Sequence, residues 1–587
     1  MTEIQELKRI HKPVLHQNFR ELVDYGAATY SDINAFIIKH KLGRKEFEYE
    51  YKTYIDLKND MDALGSALLA MGLKDKRIAI IGKNRYEWFL TYLATLCGLG
   101  ISVPLDKGLP FDEAESSIAR SYADVIVFDK DHLKEIAQIK DGGRTSLSCY
   151  ICMDRLSEEE EALLGEEVLF VPDLIKEGYQ IISTGNREYM NLPVDGKKST
   201  IVLFTSGTTS RSKAVLLSQY NITANVYGAS CAETFLPGDI NMAFLPYHHT
   251  FGSTGQIVML ASGITTAYCD GLKYLQKNLV EYKVSVFVCV PLLIESIYKK
   301  IMGEIKKQGK EKTVERGLKL SKFLLKFGID ARRKIFKDIH AKLGGNMRFV
   351  ISGASAIDPE ALEGFINFGI DAVQGYGMTE SAPMLTAETP QERKTGSIGR
   401  AIPGVQLKIA DENPEGIGEL IAKGPNITEG YFENPEETAK LIDKDGWLHT
   451  GDLASVDEDG FVFIRGRKKN VIVLKNGKNV YPEELEALIA NLPYVAESMV
   501  YGQPKNHDGD ERDLALCLKL VYSKENMQNF YGLTDPVEIE EFIKKDIDKI
   551  NDELPVYKQM FRVTITDEPM VKTTTGKVKR FEETKNL

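Results

Sequence analysis

Short β-branched runs alternate with longer amphipathic stretches through the first two thirds of the chain, and this alternation constrains the fold more than any other feature. Arg77-Ile78-Ala79-Ile80-Ile81, Ala123-Asp124-Val125-Ile126-Val127-Phe128 and Val284-Ser285-Val286-Phe287-Val288 are such runs. They predict an α/β fold of parallel-rich sheets covered by helices. Ligands in such folds bind in loops beyond the carboxyl ends of strands. One apolar run, Thr200-Ile201-Val202-Leu203-Phe204, leads directly into Thr205-Ser206-Gly207-Thr208-Thr209-Ser210-Arg211-Ser212-Lys213. Glycine there lets the backbone approach a phosphate chain, hydroxyls donate hydrogen bonds, and Lys213 supplies a point charge. The run lacks the Gly-Lys-Ser/Thr ending of a Walker A loop. On composition alone it reads equally well as a solvated Ser/Thr linker.

After Pro390 the texture changes to short strands and Gly-rich turns. Asp457-Glu458-Asp459-Gly460 reads as a hairpin turn, and the charged Arg465-Gly466-Arg467-Lys468-Lys469-Asn470 follows. A helix is expected from Pro482, with proline and acids in its first turn. We therefore expect a large N-terminal α/β region with a β-rich subdomain over 1–467, and a small α+β domain over 468–587. At 587 residues the chain is too long for one ordinary core.

The net charge of −11 argues against a nucleic-acid partner, because a phosphate backbone needs a basic footprint. Seven scattered cysteines suit reduced, buried thiols better than a disulfide framework. Cys149 and Cys152 are spaced as CxxC but have no partner pair. The polar, acidic start Met1-Thr2-Glu3-Ile4-Gln5-Glu6 is unlike a signal peptide, so a cytoplasmic location is expected. One segment reverses the charge: residues 299–342 hold fifteen Lys/Arg against five acids. Leu318, Phe323, Leu324 and Phe327 recur there at roughly helical spacing. Such a segment reads either as a solvated helix packed on the core or as a peripheral contact with an anionic membrane.

The loop at 205–213 resembles the phosphate-binding loop of the adenylate-forming superfamily, which includes acyl-CoA synthetases, luciferases and peptide-synthetase adenylation domains. Further segments follow in the superfamily's order. They are Leu245-Pro246-Tyr247-His248-His249-Thr250-Phe251-Gly252, Ser352-Gly353-Ala354-Ser355, Gly375-Tyr376-Gly377-Met378-Thr379-Glu380, Thr450-Gly451-Asp452, Gly466-Arg467-Lys468-Lys469 and Thr575-Gly576-Lys577. Asn84-Arg85-Tyr86-Glu87-Trp88 and the stretch from Val471 to Pro482 look most like the long-chain fatty acid–CoA ligase branch. Three loop positions depart from the usual pattern: Ser210 and Ala214 stand where glycine is common, and Ser212 where proline is.

The resemblance implies ATP-dependent activation of a medium- to long-chain fatty acid and its transfer to CoA. Transfer to a carrier protein, another acyl-adenylate-forming ligase, and a non-catalytic nucleotide-binding regulator are the alternatives. A carboxylate attacking the α-phosphorus of ATP makes two anions meet, so the enzyme needs cations and fixed donors rather than a protein nucleophile. By resemblance Lys577 is the central cation. Ser206, Gly207, Thr208, Thr209 and Lys213 hold phosphates. Glu380 and Thr205 are the implied Mg²⁺ ligands, since hard cations take oxygen donors. Ser352, Gly353, Ala354, Gln374 and Gly375 wall the adenine, Tyr376 offers it an aromatic face, and Thr379 reaches the α-phosphate. Asp452 suits the ribose diol, with Arg467 beside it. Gly375 to Glu380 reads as a turn after a strand, and Thr450-Gly451-Asp452 as lying between two turn-rich hairpins; alone, Thr-Gly-Asp is common turn chemistry. His249 borders the carboxylate site as a gating and positioning residue, with His248 the weaker candidate of the two. Tyr220, Val226, Tyr227, Gly252, Ser253 and Thr254 are candidate lining for an acyl tunnel, though apolar stripes are normally core. Lys469 matches the hinge, and Gly477 matches the glycine over which the pantetheine of CoA passes.

Overall fold

A computed structural model describes residues 2–43, 46–165, 168–205, 212–505, 513–572 and 578–585. Two large sheets carry the N-terminal part. The first runs, in spatial order, Gly430–Tyr431, Lys213–Ser218, Ser199–Thr205, Ile101–Leu105, Arg77–Ile81, Val125–Phe128, Cys149–Cys152 and Leu169–Phe170. Its centre is parallel: Arg77–Ile81 pairs in parallel with both Ile101–Leu105 and Val125–Phe128. The second sheet has a parallel centre of Asn34–Lys41, Thr265–Tyr268, Ile240–Ala243, Val286–Cys289, Phe349–Ser352 and Asp371–Gly377. The runs foreseen at 77–81, 123–128 and 284–288 are thus strands. Each is buried on both faces, as covered parallel strands must be.

The covering helices begin where the sequence offers caps. Thr53 and Ser218 each form a capping box ahead of Tyr54–Ala70 and Gln219–Ala232. The helix Val171–Ser183 lies so close to Tyr54–Ala70 that a Cβ on Gly178 would sit 1.8 Å from the Ala63 carbonyl oxygen. Only glycine permits that approach.

A five-stranded antiparallel sheet joins the N-terminal strand Thr2–Ile4 to later ones, ordered Thr2–Ile4, Gln406–Ala410, Gly418–Lys423, Leu448–Val456 and Val462–Arg467. The turn expected at 457–460 joins its last two strands. Beyond it lie a small sheet of Val495–Pro504, Leu514–Tyr522 and Met560–Thr566, the helices Pro482–Ala490 and Pro536–Glu553, and a separate buried cluster around Leu485, Val500, Leu518 and Ile543. The large N-terminal part and small C-terminal part are as expected. All seven cysteines are free thiols.

Three sequence expectations are corrected. Gly375, Tyr376 and Gly377 are not a turn but the end of the strand Asp371–Gly377, and the turn begins only at Thr379–Ser381. Thr450-Gly451-Asp452 likewise lies inside the strand Leu448–Val456 rather than between hairpins. Gly451 has φ +72°, and a register shift follows in the pairing with Val462–Arg467, so the strand kinks there without ending. The basic segment 299–342 is four helical pieces: the end of Pro291–Lys307, then Glu311–Leu325, Arg332–Ile335 and Lys337–Lys342. Gly309 at φ +63° and Gly328 at φ +75° lie at the breaks.

Candidate active site

Residues that follow strands of the two parallel sheets meet one another, and several of the described sequence motifs lie there. Asn84, just after Arg77–Ile81 of the first sheet, donates through Nδ2 to the Leu245 carbonyl (2.7 Å) and accepts from the Tyr247 amide (3.0 Å). These are the residues that follow Ile240–Ala243 of the second sheet. Trp88 and Phe89, both buried, pack on the Tyr247 ring at centroid distances of 5.4 and 5.2 Å. The Asn84–Trp88 segment therefore clamps the histidine-bearing loop. The His248 and His249 rings lie 4.2 Å apart with their planes tilted by 55°, and His248 Nε2 faces Asp106 Oδ1 at 3.3 Å across the two sheets. His248 is the buried member of the pair, while His249 is half-buried at the start of the helix Thr250–Ala261. Asp106 was missed by sequence reasoning, because no local pattern links it to residues so distant in the chain.

The adenine candidates come together on adjacent strands. Ser352 pairs with Gln374, and a Cβ on Gly353 would lie 3.0 Å from the Phe251 ring and 3.4 Å from the Gly375 carbonyl oxygen. Ala354 holds φ +76°, a left-handed conformation that costs energy outside glycine. The Ser352 hydroxyl is buried with no hydrogen-bond partner among the described residues. Tyr376 does more than present a ring: its hydroxyl donates to Asp452 Oδ2. Burial and that carboxylate push the phenol far above its ordinary pKa. Arg467 Nε pairs with Asp452 Oδ1 at 2.7 Å, and Asp452 is opposite Arg467 in the strand register. Tyr376, Asp452 and Arg467 are thus one connected unit joining the second parallel sheet to the antiparallel one.

Glu380 is 8% exposed, and its Oε1 accepts from the Tyr431 hydroxyl at 2.7 Å. Burial and Glu380 together raise the Tyr431 phenol well above its usual value. Tyr431 is in register with Val215 of Lys213–Ser218, which in turn pairs with the strand ending at Thr205. The Thr205 hydroxyl donates to the Lys213 carbonyl (3.3 Å). Glu380 is thereby tied through Tyr431 to the strands that flank the phosphate-loop segment. Lys213 itself makes a 2.5 Å ion pair with Glu437 and lies 4.8 Å from the Tyr431 ring centroid. The Lys213 hydrogen bond, seconded by Lys440, holds the Glu437 carboxyl at about 2. Lys213 must exchange that partner before it can serve a phosphate. Tyr431 and Glu437 are further residues that no motif announced. Ser206, Gly207, Thr208, Thr209 and Ser210 lie outside the described residues, as does Lys577. Lys469 sits in the short turn Lys468–Asn470. Gly477 has φ +76° with open space where a Cβ would point. Gly252, Ser253, Thr254 and Val226 are buried, in two helices that pack together. Tyr220 and Tyr227 are half-buried.

Glu388 lies beside the adenine candidates and was also missed. Its amide donates to the Gln374 carbonyl (2.8 Å), and its Oε1 accepts from Ser397 Oγ and the Lys394 amide, each at 3.1 Å. Its Oε2 is buried with no hydrogen-bond partner among the described residues. Burial raises its carboxyl to about 7 against those hydrogen bonds, and the nearby Glu233 carboxyl is raised as well. The folded-state value lies above the unfolded one, so this group stabilises the protein fully below about 4.5 and loses that contribution as pH rises through 7. Glu388→Gln is expected to raise stability at pH 8 by on the order of 2 kcal/mol, or about 2 °C in Tm. At pH 5 it should change little. Thermal melts of both proteins at the two pH values check this; an equal shift at both refutes the titration.

The AMP-binding enzyme family matches residues 24–432, and the AMP-binding enzyme C-terminal domain matches residues 469–586. Long chain acyl-CoA synthetase 6, peroxisomal, of Arabidopsis thaliana is 29% identical over 514 residues, spanning 84% of this chain and 72% of its own length. Long-chain-fatty-acid–CoA ligase 1 of Cavia porcellus is 27% identical over 481 residues, spanning 78% and 68%. Among solved structures, an anthranilate CoA ligase in complex with anthranoyl-AMP superposes with TM-score 0.74 at 19% identity, over 98% of both chains. An o-succinylbenzoate coenzyme A synthetase from Bacillus subtilis, in complex with ATP and a magnesium ion, gives 0.69 at 19%, over 96% of this chain and 98% of its own. At such identities the structures speak for the fold alone. The two family matches span most of the chain, and the chain belongs to the AMP-binding enzyme family.

Proposed function

We propose that this protein is an acid–thiol ligase that activates a medium- to long-chain fatty acid as its acyl adenylate, releasing pyrophosphate, and then passes the acyl group to CoA with release of AMP. The observation that carries the reading is the Tyr376–Asp452–Arg467 unit beside the Ser352–Ala354 wall, with Glu380 tied to the strands of the phosphate-loop segment. A nucleotide whose ribose meets Asp452 and whose base meets Gly353 and Gly375 would direct its phosphates toward Thr379, Glu380 and Thr205. The names of the curated relatives support the fatty acyl class.

Glu380 and Thr205 would hold Mg²⁺. A nine-tenths buried carboxylate and a hydroxyl are the all-oxygen donors that this ion takes, usually completed by phosphates and water. When bound, the ion neutralises phosphate charge. The chain's own residues do the rest. Asp452 and the glycine-lined wall orient the nucleotide, Thr379 donates toward the α-phosphate, and Lys577 balances the negative charge of the carboxylate and phosphate as they meet. His249 borders the acid, on a loop fixed by Asn84 and packed by Trp88. No general base is needed, because the nucleophile is already an anion.

We further propose that 1–467 and 468–587 act as separate units about Lys469. A turn of few residues at an element end can absorb the φ/ψ change that lets CoA replace the adenylation loop at the acyl group. Gly477 leaves room for the pantetheine arm. Transfer to a carrier protein is the second reading of the acceptor step.

The test is ATP–pyrophosphate exchange over carboxylic acids from two to about eighteen carbons, followed by thioester formation with CoA or a carrier protein. Exchange that peaks with medium or long acids, and a CoA product, is the expected result. Exchange with short or aromatic acids only would overturn the substrate class, and absence of exchange with every acid would overturn the ligase reading.

A further inference from the structure

The helix Glu311–Leu325 has two apolar stripes, and the protein core uses only one. Val314 and Leu318 pack against the cluster that contains Ile301, Ile305 and Phe336, and Ser321 is the helix's one buried residue. The other stripe, Leu320, Phe323 and Phe327, continues past the helix end at the same spacing and faces solvent. These side chains are 51, 57 and 67% exposed, and Ile329 beyond them is 54% exposed. Phe323 and Phe327 meet edge to face at 5.1 Å, so they form one patch rather than scattered single residues.

The surroundings of this patch are basic. Lys312, Arg316, Lys319, Lys322 and Lys326 lie on the same exposed helical turns. Acids of the segment pair with Lys319, Arg332 and Lys342, yet fifteen basic residues against five acids leave a large excess. The chain as a whole carries −11, so an anionic surface would repel most of the molecule and attract this segment. No helix among the described residues is long and apolar enough to cross a membrane. Apolar side chains that insert shallowly, ringed by lysines that reach headgroup phosphates, are the construction of a helix that lies on a bilayer.

We propose that residues 310–329 dock the protein on an anionic lipid surface, with Leu320, Phe323 and Phe327 inserted at the acyl boundary and the neighbouring lysines on the headgroups. The docking is independent of the ligase reading and needs no nucleotide, so the two stand or fall separately.

Co-sedimentation of the full chain with vesicles tests it. Partitioning onto phosphatidylglycerol–phosphatidylcholine vesicles is expected to exceed that onto pure phosphatidylcholine at least about tenfold, and to weaken steeply in about 0.5 M salt. F323E/F327E should lower partitioning at least about tenfold, with an unchanged circular dichroism spectrum. K322E/K326E should remove the preference for the anionic vesicles. Pyrophosphate exchange with a soluble short acid, or failing that nucleotide binding, should be unchanged in both variants. Equal partitioning onto the two vesicle types overturns the proposal, as does partitioning that survives both double substitutions. Light scattering that shows a dimer abolished by F323E/F327E, without vesicle binding by the wild type, would assign the patch to a second copy instead and would equally overturn it.

Discussion

Lys577→Ala is expected to slow acyl-adenylate formation by about a thousandfold or more, while thioester formation from supplied acyl adenylate and CoA stays within about threefold. A thousandfold corresponds to about 4 kcal/mol, the scale of one well-placed charge stabilising a developing anion in a water-poor site. The split follows from differential binding: Lys577 is assigned to the first transition state only, so the second keeps its full stabilisation. The neighbouring cations supply the control. Lys572 pairs with Glu497 at 2.6 Å, Lys579 with Glu582 at 3.3 Å, and Arg580 with Glu486 while also donating to the Val500 carbonyl. Their charge is used within the small domain, and Lys572→Ala or Lys579→Ala should leave adenylation within about threefold. Pyrophosphate exchange and single-turnover thiolysis, timed separately, check both expectations. Equal losses in the two half-reactions would remove Lys577 from its assigned role, and a large loss in Lys572→Ala would move the role to another lysine.

Those ion pairs also mark where sequence reading stops. The string Lys572, Lys579, Arg580 reads as a basic approach to a catalytic lysine, yet each partner comes from a different distance along the chain. Glu582 is a local partner three residues from Lys579, but Glu497 and Glu486 are visible only once the small domain is assembled. The buried parallel strands were legible for the opposite reason. A strand covered on both faces must be apolar along its whole length, so Arg77–Ile81 and Val286–Cys289 stand out without any tertiary information. The misread segments share one cause. Gly375, Gly377 and Gly451 look like turn residues, but here glycine keeps side chains out of the way or kinks a continuing strand. A Cβ on Gly377 would lie 1.9 Å from the Pro383 carbonyl oxygen. Local composition cannot tell that use of glycine from a turn.

Site residues divide in the same way. Asp452, Arg467, Tyr376 and Glu380 could be named as candidates because they sit in short segments of fixed order. Asp106, Tyr431, Glu437 and Glu388 were not, because their meaning lies in what they touch. Asp106 faces His248 from the other sheet, Tyr431 bonds Glu380, and Glu437 occupies Lys213. The basic segment falls between these cases. Its charge and apolar spacing were legible, but not which apolar stripe the core would leave uncovered.

The ribose assignment predicts the second large effect. Asp452→Ala is expected to lower kcat/KM for ATP in pyrophosphate exchange about a hundredfold, close to 2.7 kcal/mol. Hydrogen bonds to a charged acceptor each contribute about 1.5–3 kcal/mol, and the substitution also strips Tyr376 and Arg467 of their shared partner. Asp452→Asn, which keeps the shape and one acceptor oxygen, should lose less. A fall in activity alone would not separate a ribose contact from a structural role, because the carboxylate also holds two sheets together. The sugar does separate them. Wild-type enzyme should prefer ATP over 2′-deoxy-ATP or 3′-deoxy-ATP by about tenfold or more, since the missing hydroxyl forfeits a hydrogen bond to a buried, charged acceptor. In Asp452→Ala that preference should largely vanish, because no carboxylate remains to notice the hydroxyl. If Asp452→Ala instead loses activity equally on ATP and on both deoxy analogues while keeping the wild-type preference, Asp452 braces Tyr376 and Arg467 and the ribose is read elsewhere.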